Sequence, residues 1–540
     1  MKTSTAQTEH RVLVENIRIP VSASDEEVFA EAKRRIRACG ALSAPTQVEM
    51  HRKSIDARRK ELSFVCSVWA SVTCSAGVTP EQLQKFGIRF SDSEPLDLPV
   101  GTESMSGRPV IVGFGPAGIF CGLLLAECGF RPLILERGGS VDERIRAVER
   151  FSVHGQLDTS TNIQFGAGGA GTFSDGKLTT RIGDGRCRYV LERLHELGAP
   201  ADILWKAKPH IGTDILRDVI RRADERIRSL GGEIRYHAKA EAITSTDLIV
   251  GRERIPFGAL ILACGHSARD LYGELIAGGF AIEAKPFSVG VRVEHLQSDM
   301  DHAMYGDYAG KYGLIHADYA ISYRSGDRGA YSFCMCPGGE VVAAASEEGG
   351  VVTNGMSNRN RDGRNANAAI AVSVHPSDFG GTPQGAIEYQ RNLERAAFRA
   401  GGEDYSAPCQ TIGDFLRGTS GTEASRVQPT YRGGQVRYTD FHNILPDYIC
   451  SMLEAGFRQF GKKIRGFDAD DVPMTGVETR TSAPLRILRH EDSLTAPLYD
   501  RIYPCGEGAG YAGGIMSAAV DGIRVAQAIL ARYHRVSAEE

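Results

Sequence analysis

The 540-residue sequence lacks several features that would place it in a class at once. It has no run of about 18 apolar residues, the length that spans a membrane, and its opening residues, MKTSTAQTEH, have no apolar signal-peptide core. Lys and Arg number 63 against 67 Asp and Glu, so no excess of one charge attracts nucleic acid or an anionic membrane. We therefore expect a cytoplasmic protein without a membrane partner, and we do not expect it to bind nucleic acid.

Cysteine spacing excludes the common metal and disulfide frameworks. Twelve cysteines are present, none spaced as C-x-x-C, and neither H-E-x-x-H nor a zinc-type Cys/His pattern occurs. We predict no metal site and reduced thiols. The nearest pair is Cys334 and Cys336, whose side chains would share one face of a strand. A redox couple is conceivable there, but buried free cysteines are the more common case, and we predict them.

What is present indicates a folded protein of several domains. Hydrophobic residues make up 42% and charged residues 24%, which is ordinary globular usage, and the length suits two to four domains. The 62 glycines occur in short clusters. Clustered glycine indicates backbone that lies close to a ligand.

Residues 1–100 predict a separate α+β module. Residues 11–21 alternate like a strand, residues 25–39 form a helix with an acidic first turn, and TQVEMHRKSI and LSFVCSVWASV are two further strands. Residues 94–109 are the predicted linker. The basic stretches KRRIR and HRKSIDARRK leave contact with RNA open as an alternative, although such runs are more often solvated faces.

Residues 109–138 carry the strongest motif. An apolar strand, a glycine turn, an apolar helix and a second apolar strand predict a βαβ unit with G-x-G-x-x-G at Gly113, Gly115 and Gly118. The helix N-terminus would face a pyrophosphate, and Glu136 at the end of the second strand would accept hydrogen bonds from ribose hydroxyls. The pattern predicts a dinucleotide site and leaves FAD and NAD both open.

Several long motifs resemble one family. They are GFGPAG (113–118), FGAGGAGTFSDGKL (165–178), ACGHSARD (263–270), ETRTSAPLRILR (478–489) and PCGEGAGYAGGIMSAAVDG (504–522). In these motifs the sequence resembles the FAD-dependent dehydrogenases of largely unassigned function, distant relatives of the glutathione-reductase-type and geranylgeranyl-reductase-type flavoproteins. The resemblance implies FAD as the cofactor.

The resemblance also implies a fold. It is an α/β, FAD-binding Rossmann-type (glutathione-reductase-like) domain made of residues 108–285 and 471–540. Residues 286–470 would form a mixed-sheet substrate domain inserted between these two segments. The N-terminal α+β module would precede them in the chain.

Carried over residue by residue, the resemblance predicts the following cofactor-binding residues: Gly113, Gly115, Pro116, Ala117, Gly118, Glu136, Arg137, Gly169, Gly171, Ser174, Gly265, Gly506, Glu507, Gly514 and Ile515. His266, Lys177 and Asp175 are the predicted catalytic residues, because acid, base and cation side chains beside a flavin can move protons or hold charge. The alternative for residues 169–177 is a polar turn without a ligand.

The predicted function is an FAD-dependent oxidoreductase, a dehydrogenase or reductase that transfers a hydride between the flavin and a small organic substrate. NAD(P)H is left open as a transient reductant. One alternative is an NAD(P)H-driven flavin monooxygenase, and another is a flavin-containing RNA-modifying or RNA-binding protein. Only one strong G-x-G-x-x-G occurs, so no second nucleotide fold for NAD(P)H is expected, and no cysteine pair is assigned to the flavin; both points argue against a dithiol reductase. The oligomeric state stays open.

Overall fold

A computed structural model describes residues 9–58, 61–75, 77–90 and 96–534. The first two residues of the predicted linker, Glu94 and Pro95, lie outside these ranges. The chain divides into two compact units. Of the described residues, unit 1 contains those up to Leu96 together with Pro200–Pro209 and Met304–Ile315, and unit 2 contains Asp97–Ala199, His210–Ala303 and those from His316 onward.

The elements of the described residues are numbered in chain order. The strands are β1 (Glu9–Pro20), β2 (Gln47–Asp56), β3 (Ser63–Thr73), β4 (Ile88–Phe90), β5 (Pro109–Val112), β6 (Leu133–Leu135), β7 (Glu233–Arg235), β8 (Ala242–Ile243), β9 (Asp247–Val250), β10 (Glu253–Pro256), β11 (Ala259–Leu262), β12 (Ile282–Ala284), β13 (Phe287–Leu296), β14 (Ser322–Ser325), β15 (Arg328–Cys336), β16 (Gly339–Ala343), β17 (Thr353–Ser357), β18 (Asn365–Val374), β19 (Ala407–Thr411), β20 (Val436–Tyr438), β21 (Pro473–Glu478), β22 (Leu485–Ile487) and β23 (Ile502–Pro504). The α-helices are α1 (Asp25–Cys39), α2 (Pro80–Gln84), α3 (Pro116–Glu127), α4 (Val141–His154), α5 (Arg186–Glu196), α6 (Thr213–Ser229), α7 (Arg269–Ala277), α8 (Gln297–Tyr305), α9 (Pro383–Ala400), α10 (Ile412–Arg417), α11 (Asp447–Lys463) and α12 (Ile515–Arg532).

Unit 1 is built on a four-stranded antiparallel sheet in the order β2-β3-β1-β4. Buried and half-buried residues alternate along β3, as expected of a strand with one face on a core. Helix α1 packs on that core with Val28, Ala32 and Ile36, and Ser24 caps it in a capping box with Glu27. The predicted helix and three strands of this module are confirmed. Strand β4 was missed because three residues carry no periodic signal.

Two distant segments also belong to unit 1. Lys53 of β2 exchanges backbone hydrogen bonds with Trp205 and Ala207 at 2.9 and 3.0 Å. Tyr308 and Leu314 pack against the apolar core of the module. The sequence placed both segments in other domains, because pairing between positions so far apart leaves no local pattern.

The first large sheet of unit 2 is parallel and has five strands in the order β7-β6-β5-β11-β23. Numbered by their occurrence along the chain, these strands lie in the order 3-2-1-4-5, which is the Rossmann arrangement. Strands β5 and β11 are buried along their full length, which explains their uninterrupted apolar sequences. A three-stranded antiparallel sheet, β8-β9-β10, fills the connection from β7 to β11. The predicted α/β, Rossmann-type fold class is confirmed.

The second large sheet of unit 2 has seven strands in the order β14-β15-β18-β13-β21-β19-β20. Its neighbours are antiparallel except for β19 and β20, so the sheet is mixed. Strand β21 pairs with β13 and β19, and the sheet therefore extends past the predicted domain end at residue 470. The sequence placed β21 in the Rossmann-type domain because a short buried apolar run does not show which sheet it joins.

Among the described residues, no helix combines the length and the apolar character needed to cross a bilayer.

Candidate functional site

A cavity of about 560 Å³ opens at the carboxyl ends of β5, β6 and β11. The strand order of the parallel sheet reverses there, and α/β proteins bind ligands at such switch points. The facing wall contains Phe333 and Cys334 of β15 and Glu478 of β21, which belong to the mixed sheet, and Asn354 of β17, which pairs with β16 in a separate two-stranded sheet. Both large sheets of unit 2 therefore contribute to one site.

Two helices begin at the wall of this cavity. Gly115 precedes α3 and Gly514 precedes α12, and neither helix has a side-chain hydrogen bond at its N-cap. The first residues of each helix line the cavity. Free N–H groups and the positive end of the helix dipole favour negative charge. The cavity thus offers two positions for anionic groups.

The three glycines Gly113, Gly115 and Gly118 differ in what a side chain would contact at each position. A Cβ on Gly113 would lie 2.3 Å from the Ala263 carbonyl oxygen, and one on Gly118 would lie 2.0 Å from the Gly113 carbonyl oxygen. Both are required by the packing of the protein itself. At Gly115 the nearest atom to such a Cβ would be Gly169 Cα at 3.8 Å, so the bare backbone leaves room on the cavity side.

Glu136 directly follows β6 and lines the cavity. Its Oε2 accepts the Phe114 N–H at 2.9 Å, and its Oε1 accepts the N–H groups of Gly138 and Gly166 at 3.0 and 2.9 Å. These three backbone donors fix the carboxylate in one orientation. A carboxylate has about four acceptor positions, so Glu136 can also accept a hydroxyl donor from a ligand.

The structure brings most of the predicted cofactor-binding residues together. The cavity is lined by Gly113, Gly115, Pro116, Ala117, Glu136, Arg137, Gly169, Gly171, Ser174, Gly265, Glu507, Gly514 and Ile515. Gly118 and Gly506 lie outside this lining. Gly118 packs on the glycine turn, and the Gly506 N–H donates to Asp521 at 2.8 Å, so these two support the wall from behind.

Asp175, a predicted catalytic residue, is buried among other polar groups of the protein. It accepts hydrogen bonds from Arg361 Nε at 3.0 Å and from the Ser357 hydroxyl, and the Lys177 ammonium lies 3.8 Å away. Burial opposes its ionisation, but the charges of Arg361 and Lys177 prevail and hold the pKa of Asp175 below its usual value. A carboxylate with a low pKa is a weak base. The geometry therefore favours Asp175 as the residue that positions Lys177 at the wall.

His266, another predicted catalytic residue, also lies on the wall, with Nδ1 3.0 Å from the Ser267 hydroxyl. Burial, together with the charges of Arg480 and Arg269, lowers the pKa of His266 to about 3. The imidazole is therefore neutral at physiological pH. A neutral imidazole can exchange hydrogen bonds with a ligand but brings no positive charge.

A buried charge cluster that the sequence did not reveal supports this wall. The Glu394 carboxylate accepts hydrogen bonds from Arg269 at 2.7 and 2.8 Å, from Arg480 at 2.9 and 3.1 Å, and from the Thr479 hydroxyl at 2.7 Å. Arg480 lines the cavity and Glu394 lies behind it. The partners are 125 and 86 residues apart along the chain, so no spacing rule could have found them.

Glu507 has an environment that sequence reasoning did not foresee. Burial raises the pKa of Glu507 to about 7, against the charge of Lys285. Among the described residues, none hydrogen-bonds its side chain, which faces the cavity. A carboxyl group of this kind calls for a donor from a ligand.

The two neighbouring cysteines differ from the prediction that both are buried. Cys336 is fully buried, but Cys334 is half-buried and lines the cavity. The C-x-C spacing was the available signal. A register shift in β15 after Phe333, which the spacing does not show, turns one of the two toward the cavity.

Residues 286–481 match the family model described as "FAD-dependent protein, C-terminal domain-like". An uncharacterized protein of Clostridium beijerinckii is 45% identical over 500 residues, which cover 90% of this chain and 93% of that protein.

Solved structures show weaker similarity. Glycine oxidase from Geobacillus kaustophilus is 11% identical, with a TM-score of 0.32 over 80% of this chain and 98% of that chain. A geranylgeranyl bacteriochlorophyll reductase-like protein from Thermoplasma acidophilum is also 11% identical, with a TM-score of 0.33 over 78% of this chain and 77% of that chain. Neither similarity bears on the reaction.

The close relative covers nearly the whole chain, and the family model covers the mixed sheet that faces the Rossmann-type domain. The chain therefore belongs to the family of FAD-dependent proteins that carry this C-terminal domain.

Proposed function

We propose that the protein holds FAD in this cavity and is an oxidoreductase that moves a hydride between the flavin and a small organic substrate. One observation carries the proposal: the N-termini of α3 and α12 open onto a single cavity at the switch point of a Rossmann-type sheet. When bound, FAD would supply the hydride acceptor or donor, and the protein would supply binding, orientation and charge.

Each part of the cofactor has a matching group in the cavity. The first turn of α3 at Gly115 suits the pyrophosphate, because its N–H groups are free and no side chain intervenes. Glu136 suits the hydroxyls of the adenosine ribose. The N-terminus of α12 at Gly514 suits the pyrimidine edge of the flavin, which carries negative charge when reduced.

The side chain of Glu507 tests whether the cavity fits such a ligand. This side chain is half-buried at the cavity wall and has no hydrogen-bond partner among the described residues, so it can pair with a ligand hydroxyl. The ribityl chain of FAD carries such hydroxyls. The residues present therefore fit the cofactor that the family uses.

The substrate would lie against the facing wall. Phe333 offers an apolar surface there, Asn354 offers an amide, and Lys177 offers a cation from the facing loop. This mixture suits a small organic molecule with a polar or anionic group. His266 and Lys177 are the residues that we propose act on it.

Pyridine nucleotides would have to bind without a fold of their own. Within the described part of the chain, one parallel sheet has the Rossmann order, and the proposed FAD occupies its switch point. NAD(P)H as a reductant would therefore bind transiently at the open side of the cavity.

The first experiment is an anaerobic visible spectrum of the purified protein, followed by acid release and chromatography of the cofactor. We expect a flavin band and FAD. Addition of NADPH and then NADH follows: bleaching would indicate a reductase or a monooxygenase, and a band that stays oxidised would indicate that the organic substrate supplies the hydride.

A pair of variants localises the cofactor. Gly115→Leu places a side chain where the cavity has room for it, so we expect a folded protein that has lost FAD. Gly273→Leu makes the same change on the exposed face of α7, where no atom lies within 4 Å of the new Cβ, and we expect normal FAD content. Equal FAD content in both variants would contradict the proposed site.

A further inference from the structure

The two cysteines of β15 are brought together by an irregularity in the strand. Phe333 pairs with Ala369 of β18, but the next paired residue, Cys336, faces Asn367, so β15 contains one extra residue. Cys334 lies in this bulge with φ at 46°, in the left-handed region that few side chains adopt. Bulges of this kind redirect side chains beside functional sites.

The bulge is held by a fully buried guanidinium. Arg292 of β13 donates to the Cys334 carbonyl oxygen at 3.2 Å and to the Asn367 side chain at 2.8 Å. The same guanidinium forms a two-pronged ion pair with Glu478 at 2.6 and 3.0 Å. This network connects the bulge to the cavity wall and stabilises the bulge in its conformation.

The two thiols have unequal positions. Cys334 lines the cavity with Lys177 and Glu507, whereas Cys336 is fully buried behind it. The Cys336 Sγ lies 3.4 Å from the Cys334 carbonyl oxygen, to which its thiol donates, so the Cys336 thiol packs against the backbone of Cys334. One thiol can therefore meet a ligand while the other can reach only its neighbour.

The two thiols also differ in charge. The adjacent Cys336 side chain lowers the pKa of Cys334, and the charges of Lys177 and Arg292 act in the same direction against burial and Glu478. The Cys334 side chain and burial in turn raise the pKa of Cys336. By contrast, burial raises the pKa of Cys264, the other cysteine of the cavity lining, to about 12. Of the two thiols, Cys334 is therefore the one that ionises more readily.

We propose that Cys334 and Cys336 form a dithiol/disulfide couple that exchanges two electrons with the flavin. The proposal rests on the proposed function, because it requires FAD in the cavity. In the oxidising direction the Cys334 thiolate and the Cys336 thiol form an S–S bond and lose two electrons and one proton. The oxidised flavin takes up both electrons and the proton, so charge and atoms balance. The proposed couple would add a thiol–disulfide reaction to the flavin reaction of this site. It is the dithiol chemistry that the sequence analysis argued against.

The test begins with the holoenzyme oxidised by diamide, an azo oxidant of thiols, and desalted without oxygen. Light with EDTA then reduces the flavin, and acid quenching is followed by N-ethylmaleimide and trypsin. Residues 329–359 form one tryptic peptide that contains both cysteines and no other. Before illumination we expect this peptide to carry no maleimide and to be two hydrogens lighter than the dithiol peptide. After illumination we expect it to carry two maleimides.

Controls separate exchange with the flavin from direct photochemistry. The FAD-free protein under the same light should keep its disulfide. Cys336→Ser should bind FAD but need half the reducing equivalents per flavin that the oxidised wild type needs. Cys450→Ser should titrate as the wild type, because Cys450 is also buried but lies in α11, outside the cavity lining.

The outcomes distinguish this proposal from the proposed function. Two maleimides on the oxidised peptide would show that no disulfide forms, and a disulfide that persists beside fully reduced flavin would show that no electrons pass. Either result overturns the couple while the FAD site stands. Failure of the wild type to bind FAD would instead contradict the proposed function, and diamide oxidation of the FAD-free protein would still decide whether the disulfide forms.

Discussion

Replacement of Glu394 by Gln tests the buried charge cluster behind the cavity wall. The substitution keeps the shape of the side chain and removes the negative charge between Arg269 and Arg480, which are 3% and 9% exposed. Removal of one partner from a buried ion pair costs about 3–5 kcal/mol, because the remaining charge stays in a poorly solvated place. Arg269 keeps Glu347 at 3.0 Å, so we expect the lower end, about 3 kcal/mol.

The assay is urea unfolding of the FAD-free protein, followed by circular dichroism, with the midpoint and slope compared between variants. Glu388→Gln on the same helix, α9, is the control. Glu388 is half exposed and pairs with Arg391 at the surface, so we expect a change below about 0.5 kcal/mol. A loss below about 1 kcal/mol for Glu394→Gln would refute the reasoning, since it would show that the two guanidinium groups are solvated after all.

The same cluster predicts a pH dependence. Burial opposes the ionisation of Glu394, but Arg269 and Arg480 prevail and lower its pKa below the unfolded value of about 4.3. Its contribution to stability is therefore complete above about pH 4.3 and is lost as the pH falls further. The difference in the free energy of unfolding between the wild type and Glu394→Gln should become smaller in acid. A difference that does not change with pH would contradict the lowered pKa of Glu394.

Three further predictions concern the cavity. Gly118→Ala places a Cβ 2.0 Å from a backbone oxygen, so we expect this variant to lose FAD and thermal stability. Gly115→Ala should keep its thermal stability and bind FAD more weakly. Calorimetry measures the thermal stability of each variant, and FAD titration measures the affinity. Because the folded pKa of Glu507 is raised to about 7, its contribution to the stability of the FAD-free protein is present in acid and is lost as the pH rises through 7, and Glu507→Gln should remove this dependence in urea unfolding. His266→Ala and Lys177→Ala should each slow the reduction of the flavin by substrate in stopped flow, and an unchanged rate in either variant would exclude that residue from catalysis.

The cofactor half of the site could be read from the sequence because its signals are local. The glycine turn, the helix α3 and Glu136 lie within one βαβ unit, where strand, turn and helix each have their own periodicity. The same holds for the turn at Glu507 before α12. Short-range sterics and helix capping decide these elements, and few other conformations compete with them.

The second wall could not be predicted because its contacts are long-range. The sequence placed β21 in the wrong sheet, and it contained no hint that Arg292 and Glu478, 186 residues apart, would meet beside Cys334. Ion pairs and sheet register depend on which strands become neighbours, and a short apolar run is compatible with several neighbours.

The sequence by itself therefore determined the fold class, the nucleotide-binding turn and the family of this protein, because these depend on patterns within about thirty residues. Only the tertiary structure decided which side chains meet the cavity and in what charge state. Burial makes His266 neutral and raises the pKa of Glu507, and a single extra residue in β15 turns Cys334 toward the site. These properties come from desolvation and from neighbours distant in sequence, which exist only once the chain has folded.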